Sequence, residues 1–138
     1  MIMTYWFSNF TIDDVKNFLT PIAEDIATKT GCSLEWYEDK DFCDSCHYVL
    51  RYMGEYMGSI YLSSKENSAR FSLYTKITFT MKSTFTKTAM RHHIGIKLGV
   101  VRQVEDKNKY IDWLKLICTQ YKTALAKKKK FEADTDFE

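Results

Sequence analysis

The sequence predicts an α+β domain of two layers, in which an antiparallel sheet of about four strands packs against an N-terminal helix and a long C-terminal helix. Apolar residues recur every three or four positions near both ends of the chain and every second position in its middle. With 138 residues, 45% of them hydrophobic, the chain is long enough for one core. We therefore expect a single domain over residues 1–131, followed by an acidic, disordered tail over residues 132–138.

The first predicted helix begins after Thr11, a residue type that caps helix N-termini. Its apolar stripe is formed by Ile12, Val15, Leu19, Ile22 and Ile26. Gly31 is a natural C-terminal stop. Because Thr20-Pro21 also has the form of a cap followed by a first-turn proline, the segment predicts either one kinked helix or two short ones.

A hairpin is predicted between residues 46 and 62, where aromatic and β-branched residues flank Gly54-Glu55, a pair suited to a type II′ turn. This turn predicts two pairs on one face of the sheet, namely Tyr48 with Tyr61 and Tyr52 with Met57. If the next strand continues that face with its polar residues, Tyr74 joins the tyrosines.

The clearest strand alternates between apolar and polar residues from position 70 to position 81. One face carries Phe71, Leu73, Ile77, Phe79 and Met81. The other face carries Arg70, Ser72, Tyr74, Lys76, Thr78 and Thr80. We therefore expect one side of the sheet to lie in the core and the other to be at least partly wet.

The segment from residue 83 to residue 104 has a mixed pattern. Ser83 to His93 is compatible with a short helix, whereas Ile94 to Val100 alternates like a strand. Asp106 then offers a cap for the long C-terminal helix, which we expect to end near Lys130. The apolar stripe of that helix is formed by Tyr110, Trp113, Leu114, Ile117, Cys118, Tyr121 and Leu125.

Acidic and basic residues are separated along the chain, although the formal net charge is only +2. Residues 1–66 carry 11 acidic and 5 basic side chains, whereas residues 67–131 carry 3 acidic and 15 basic ones. No acidic residue occurs between Glu66 and Glu105. Lysine and arginine near phosphates release condensed counterions, so this basic segment favours a polyanionic partner. The alternative is that these cations are solvated or face the acidic half within the fold.

The basic segment predicts a nucleic-acid-binding surface. Tyrosines among cations on a sheet are the arrangement that single-strand binders use for base stacking, although tyrosines beneath a helix produce the same pattern. The predicted binding residues are Tyr52, Arg70, Tyr74, Lys76, Lys82, Lys87, Arg91, His92, Lys97 and Arg102. The lysines from Lys127 to Lys130 instead suit a solvated helix terminus, because cations there interact favourably with the helix dipole.

The four cysteines, Cys32, Cys43, Cys46 and Cys118, are predicted to be reduced and metal-free. Cys43 and Cys46, followed by His47, formally match the pattern for covalent haem attachment, but nothing in the sequence indicates export. The same two cysteines have the spacing of half a zinc site. Because no second CxxC or HxxxH completes such a site, we expect neither a metal nor another cofactor.

The chain carries none of the common catalytic signatures, such as GxxxxGK[ST], GxGxxG after a strand, HExxH or GxSxG. Its N-terminus has no positively charged leader, and no apolar run approaches the roughly 20 residues of a membrane span. We therefore expect a cytoplasmic protein without a membrane partner. Abundant Lys, Phe, Tyr and Ile beside scarce Arg and Pro are typical of a low-GC source, such as a bacterium, its phage or another mobile element.

Together these features predict a small non-enzymatic binding module that engages nucleic acid or a nucleoprotein complex through its basic segment. The alternative is a protein–protein inhibitor or adaptor of the phage or mobile-element type, which acts through its acidic or aromatic surface.

Overall fold

Two helices and seven strands form the described part of the chain, which comprises residues 11–39, 45–63, 68–85 and 90–135 of this computed structural model. The elements are α1 (Ile12–Thr30), β1 (Ser33–Tyr37), β2 (His47–Tyr52), β3 (Glu55–Ser63), β4 (Ser68–Tyr74), β5 (Ile77–Phe85), β6 (Met90–Leu98), β7 (Val101–Val104) and α2 (Lys107–Thr135). Five strands form an antiparallel sheet in the order β1-β2-β3-β4-β7, and β5 pairs with β6. The predicted α+β class is confirmed, with five strands in the sheet rather than about four.

Helix α1 begins at the predicted cap. The side chain of Thr11 accepts a hydrogen bond from the backbone N–H of Asp14, whose carboxylate accepts one from the backbone N–H of Thr11. Gly31 ends the helix in the left-handed conformation, with φ of 78°. Both predicted ends of the helix are therefore confirmed.

Of the two structures that the sequence allowed around Pro21, the chain adopts a single continuous helix. The hydroxyl of Thr20 donates a 2.6 Å hydrogen bond to the carbonyl oxygen of Lys16, one turn earlier. The same hydroxyl lies 2.6 Å from the Tyr48 hydroxyl in the sheet. The proline-containing turn is thus fastened to the sheet by a side-chain contact.

The β2–β3 hairpin turns one residue earlier than predicted. Its turn residues are Met53 and Gly54, with φ of 53° and 83°, so both lie in the left-handed region that a type I′ turn requires. The register then shifts after Leu50, and Met57 is the extra residue.

This shift overturns the predicted tyrosine pairs. Tyr48 stands opposite Ile60, and Tyr61 stands opposite His47. Tyr52 stands opposite Glu55 rather than Met57. Because side chains alternate between faces, Tyr48 and Tyr52 lie on the helix-facing side of the sheet and Tyr61 lies on the other side.

The short helix expected over Ser83 to His93 is wrong, because β5 continues to Phe85 and β6 begins at Met90. Pairing with the opposite strand supplies the backbone hydrogen bonds that a helix would have supplied locally. The predicted strand after Ile94 is part of β6, which ends at Leu98.

Helix α2 begins where the sequence predicts, since the carboxylate of Asp106 accepts a 2.8 Å hydrogen bond from the backbone N–H of Lys109. It ends at Thr135, five residues beyond the predicted end near Lys130. No glycine or proline follows Lys130 to stop the helix, so residues 131–135 extend it. Residues 132–135 of the predicted tail are therefore helical, and residues 136–138 lie outside the described residues.

The core lies between the helices and one face of the five-stranded sheet. Phe71 of β4 stacks on Tyr110 of α2 with ring centroids 5.0 Å apart, and Trp36 of β1 contacts Tyr48 of β2 at 4.8 Å. The α2 residues buried in this core are Tyr110, Ile111, Leu114, Ile117, Cys118, Tyr121 and Ala124. Neither helix in the described part of the chain is long and apolar enough to cross a membrane.

Candidate functional site

Strands β4 to β7 form one long, bent hairpin, and this hairpin carries most of the predicted binding residues. The pairs Phe71–Val104 and Ile77–Leu98 belong to the same register, so the ladder continues from the sheet into β5 and β6 without a bulge. Two backbone hydrogen bonds bridge the bend, from Thr75 N–H to the carbonyl of Val100 and from Gly99 N–H to the carbonyl of Lys76. The single alternating segment that the sequence predicted over residues 70–81 is therefore two strands in one register.

A shallow groove on this hairpin brings two predicted cations together. Lys76, Thr78, Lys97 and Gly99 line a space of about 160 Å³, and we call it the hairpin groove. Both lysine side chains are exposed. A Cβ on Gly99 would lie 3.0 Å from the carbonyl oxygen of Lys76, so glycine allows the two strands to approach closely at the base of the groove.

Arg70 lies on the same face of the ladder as the hairpin groove, but its charge is paired. The register places position 70 opposite position 105, and the Arg70 guanidinium donates a hydrogen bond to the Glu105 carboxylate in an ion pair. Glu105 is the acidic residue that ends the acid-free interval of the sequence. Folding thus neutralises one end of the basic segment.

Tyr74 belongs to an aromatic cluster on the face of the sheet that points away from the helices, the face that also carries Arg70. Its ring meets Tyr56 edge-to-face with centroids 5.6 Å apart. Burial raises the pKa of Tyr74, with smaller contributions from Tyr56 and Glu55. Burial also raises the pKa of Tyr61, although the positive charge of Arg70 acts in the other direction and lowers it. Neither Tyr56 nor Tyr61 was among the predicted binding residues. The strand pattern did predict that Tyr61 and Tyr74 share a face, whereas the position of Tyr56 depends on the register shift in the β2–β3 hairpin.

Tyr52 lies apart from this cluster. It is on the helix-facing side of β2, packed against the core, and its ring is the closest neighbour of a Cβ built on Gly31. The alternation of β2 places it there, on the same face as the buried residues Tyr48 and Leu50.

Arg102 also lies on the helix-facing side, where it stands opposite Leu73. Its guanidinium lies over the ring of Trp113 in α2, 4.8 Å from the centroid, and the ammonium group of Lys109 lies 5.9 Å from the same ring. This contact fastens the edge strand β7 to α2. A second groove of about 190 Å³ lies beside it, and its lining includes Arg102, Trp113, Leu116 and Tyr74. We call it the edge groove.

For the other predicted cations the structure gives backbone positions only. Lys82 stands opposite His93, His92 opposite Ser83 and Arg91 opposite Thr84, towards the far end of the β5–β6 ladder. Lys87 lies outside the described residues.

The cysteines do not converge on a metal-like cluster in the described residues, which hold no group of three or more His, Cys, Asp and Glu placed for an ion. The sulfur of Cys46 lies 3.2 Å from the backbone nitrogen of Asp39. Cys43 falls outside the described residues. Cys32 and Cys118, by contrast, are buried and adjacent, with their sulfurs 3.6 Å apart.

The protein is thus a two-layer α+β domain that carries a bent basic hairpin. Comparison with protein-family models, with curated proteins and with solved structures finds no match to this chain.

Proposed function

We propose that the protein binds nucleic acid, alone or within a nucleoprotein complex, through the hairpin groove and the basic positions that continue it along β5 and β6. The observation that carries this proposal is that Lys76 and Lys97 line one exposed groove beside Thr78. Two ammonium groups beside a hydroxyl suit a phosphate backbone, because the lysines attract the charge and the hydroxyl donates a hydrogen bond.

The register of the ladder supports a longer contact. β5 begins at the hairpin groove and β6 ends there. Lys82 of β5 and Arg91 of β6 occupy positions further along these strands, away from the groove. At about 3.3 Å per residue, the six steps from Lys76 to Lys82 cover about 20 Å, which is long enough for several phosphates of one strand. The basic residues are therefore distributed along a line rather than gathered at a point.

Tyr74 provides an aromatic ring at the end of β4, next to the bend. It precedes Lys76 by two positions and is half-buried against Tyr56, so its ring is held in place and only partly covered. Stacking on such a ring is tolerant of base identity. We expect a preference for single strands over duplexes and little sequence specificity.

Binding of fluorescently labelled single-stranded DNA, duplex DNA and single-stranded RNA at several salt concentrations tests the proposal. The double variant Lys76→Glu/Lys97→Glu should weaken binding at least about tenfold. It should also reduce the slope of log K against log salt by about 2, because each of the two lysines neutralises one phosphate. Tyr74→Ala should weaken single-strand binding by about 1 to 3 kcal/mol and duplex binding less.

A matched control is Lys115→Glu/Lys122→Glu, which changes the net charge equally but at exposed positions of α2. If the two double variants weaken binding equally, attraction is due to net charge and the groove has no special role. If the wild-type protein binds none of the three probes at low salt, the proposal is wrong.

The second candidate is a protein–protein adaptor or inhibitor, and exposed apolar residues near the edge strand β7 favour it. Val100, Val101 and Leu116 are 79%, 45% and 55% exposed. Leu116 lines the edge groove, in which it and Trp113 supply apolar walls. A partner held there would be insensitive to Lys76→Glu/Lys97→Glu and would respond little to salt, which separates this function from the first.

A further inference from the structure

Two cysteines that are distant in sequence meet in the core between the two helices. Cys32 follows Gly31, the residue that ends α1, and Cys118 lies within α2. Their sulfurs are 3.6 Å apart although 86 positions separate them in the chain. Both side chains belong to the core cluster, and Cys32 is 8% exposed to solvent.

The two sulfur atoms are close to the separation at which a disulfide bond forms. A disulfide requires the sulfurs to approach to about 2.05 Å, so they must move together by about 1.5 Å. Cys32 lies in the two-residue connection between α1 and β1 and is not held within a helix or strand. Rotation of its side chain and a small shift of this connection can close the distance without disturbing α2.

The local chemistry favours reaction at Cys32. The hydrogen bond from the Cys118 thiol lowers the pKa of Cys32 to about 7, with a smaller contribution from Thr30, although burial opposes this change. The same hydrogen bond, together with burial, raises the pKa of Cys118 far above its usual range. Cys32 is therefore the nucleophilic thiolate, and Cys118 retains its proton.

We propose that Cys32 and Cys118 form an oxidisable dithiol whose substrate is hydrogen peroxide and whose product is an internal disulfide between the end of α1 and α2. The Cys32 thiolate attacks one peroxide oxygen, the O–O bond breaks, and the departing hydroxide takes a proton from solvent to become water. Cys32 is then a sulfenic acid.

Cys118 completes the reaction by attacking the sulfenic sulfur. The S–S bond forms as the S–O bond breaks, and the departing hydroxide takes the Cys118 proton to give a second water. Two thiols lose two electrons in total, and one peroxide is reduced to two waters. A thiol reductant reverses the change by disulfide exchange.

The test treats the folded, fully reduced protein with hydrogen peroxide, blocks the remaining thiols and maps peptides by mass spectrometry. The expected result is a peptide pair joined through Cys32 and Cys118, lighter by two hydrogen atoms than the sum of the reduced peptides. The melting temperature should rise by several degrees on oxidation and return on reduction, because the cross-link constrains a long segment of the unfolded chain.

Cys118→Ser and Cys46→Ser serve as the paired variants. Cys118→Ser cannot form the cross-link but keeps a hydroxyl donor beside Cys32, so it should leave Cys32 as a sulfenic acid that dimedone traps. Cys46→Ser should leave the cross-link unchanged. Circular dichroism of each reduced variant confirms its fold. The proposal is overturned if the Cys32–Cys118 peptide is absent after peroxide treatment, or if it forms only when denaturant is added. It is also overturned if dimedone labels another cysteine in preference to Cys32 in Cys118→Ser.

Discussion

The hydroxyl of Tyr110 donates a 2.7 Å hydrogen bond to the backbone carbonyl of Ser72, which joins α2 to the centre of the sheet. Tyr110 is completely buried, and burial raises the pKa of its phenol well above the ordinary value. The phenol therefore stays protonated and acts as a donor throughout the physiological pH range.

We predict that Tyr110→Phe lowers the free energy of unfolding by about 1 to 2 kcal/mol, because it removes this bond while preserving the stack on Phe71. Urea denaturation monitored by circular dichroism measures the change. Tyr37→Phe is the control, since Tyr37 is half exposed at the sheet edge and should change stability by less than about 0.5 kcal/mol. An equal loss in both variants would contradict this role for the Tyr110 hydroxyl.

Gly58 is required by the same helix–sheet contact. A Cβ at this position would lie 2.1 Å from the carbonyl oxygen of Ser72 and 2.5 Å from the Tyr110 hydroxyl. We predict that Gly58→Ala destabilises the protein by about 3 kcal/mol, because both the Ser72 carbonyl of β4 and the Tyr110 hydroxyl of α2 must move to accommodate the methyl group.

Gly95→Ala is the matched strand control for Gly58→Ala. The nearest atom to a Cβ on Gly95 is the Thr80 hydroxyl oxygen at 3.5 Å, an ordinary contact. Alanine there should leave stability unchanged or raise it by about 0.5 kcal/mol. If Gly58→Ala is as well tolerated as Gly95→Ala in urea denaturation, the close approach of β3 and α2 is incorrect.

The β2–β3 turn offers a prediction of the opposite sign. Met53 has a positive φ that its side chain disfavours, and it is 55% exposed, so its side chain contributes little packing. Met53→Asn should stabilise the protein by about 0.5 kcal/mol, since Asn-Gly is the preferred pair for a type I′ turn.

Gly54→Ala should instead cost about 1 kcal/mol. No atom lies within 4 Å of a Cβ at this position, so the cost arises from the positive φ alone. Thermal denaturation of both variants measures the two effects. A gain from Gly54→Ala would contradict the positive φ at this position.

Asp25 connects the two helices electrostatically, and its contribution should depend on pH. Its carboxylate forms ion pairs with Lys107 of α2 at 2.8 Å and with Lys29 at 3.2 Å. These ammonium groups, Lys107 more than Lys29, lower the pKa of Asp25 below its ordinary value. A carboxyl group whose pKa is lower in the folded than in the unfolded state stabilises the fold above the unfolded pKa. That stabilisation is lost as the pH falls through the folded value.

We therefore expect Asp25→Asn to be less stable than the wild type near neutral pH, with the difference vanishing as the pH falls through the lowered pKa of Asp25. Thermal denaturation from neutral to acidic pH measures it. Glu24→Gln, at the exposed neighbouring position, is the control and should show a smaller difference. A difference between Asp25→Asn and the wild type that does not change with pH would contradict the ion pair.

Part of the candidate site followed from local pattern. Strict alternation over residues 70–81 predicts that Arg70, Tyr74 and Lys76 share a face, and the continuous register of the bent hairpin agrees. The residue that sequence reasoning missed, Tyr56, lies beyond the bulge at Met57 and stands opposite Arg51 because of it. A bulge alters the register by one residue without leaving a mark in the alternation of either strand.

Local sequence was enough to specify the helix starts at Thr11 and Asp106 and the α+β class, because capping bonds and hydrophobic periodicity act within a few residues. Long-range pairing was needed to make residues 83–85 strand rather than helix, since their hydrogen-bond partners lie in β6. Folding also brought Glu105 onto Arg70, 35 positions away, and Cys118 onto Cys32, 86 positions away. Such contacts depend on sheet register and on the packing of α1 beside α2, and local sequence preferences do not specify either.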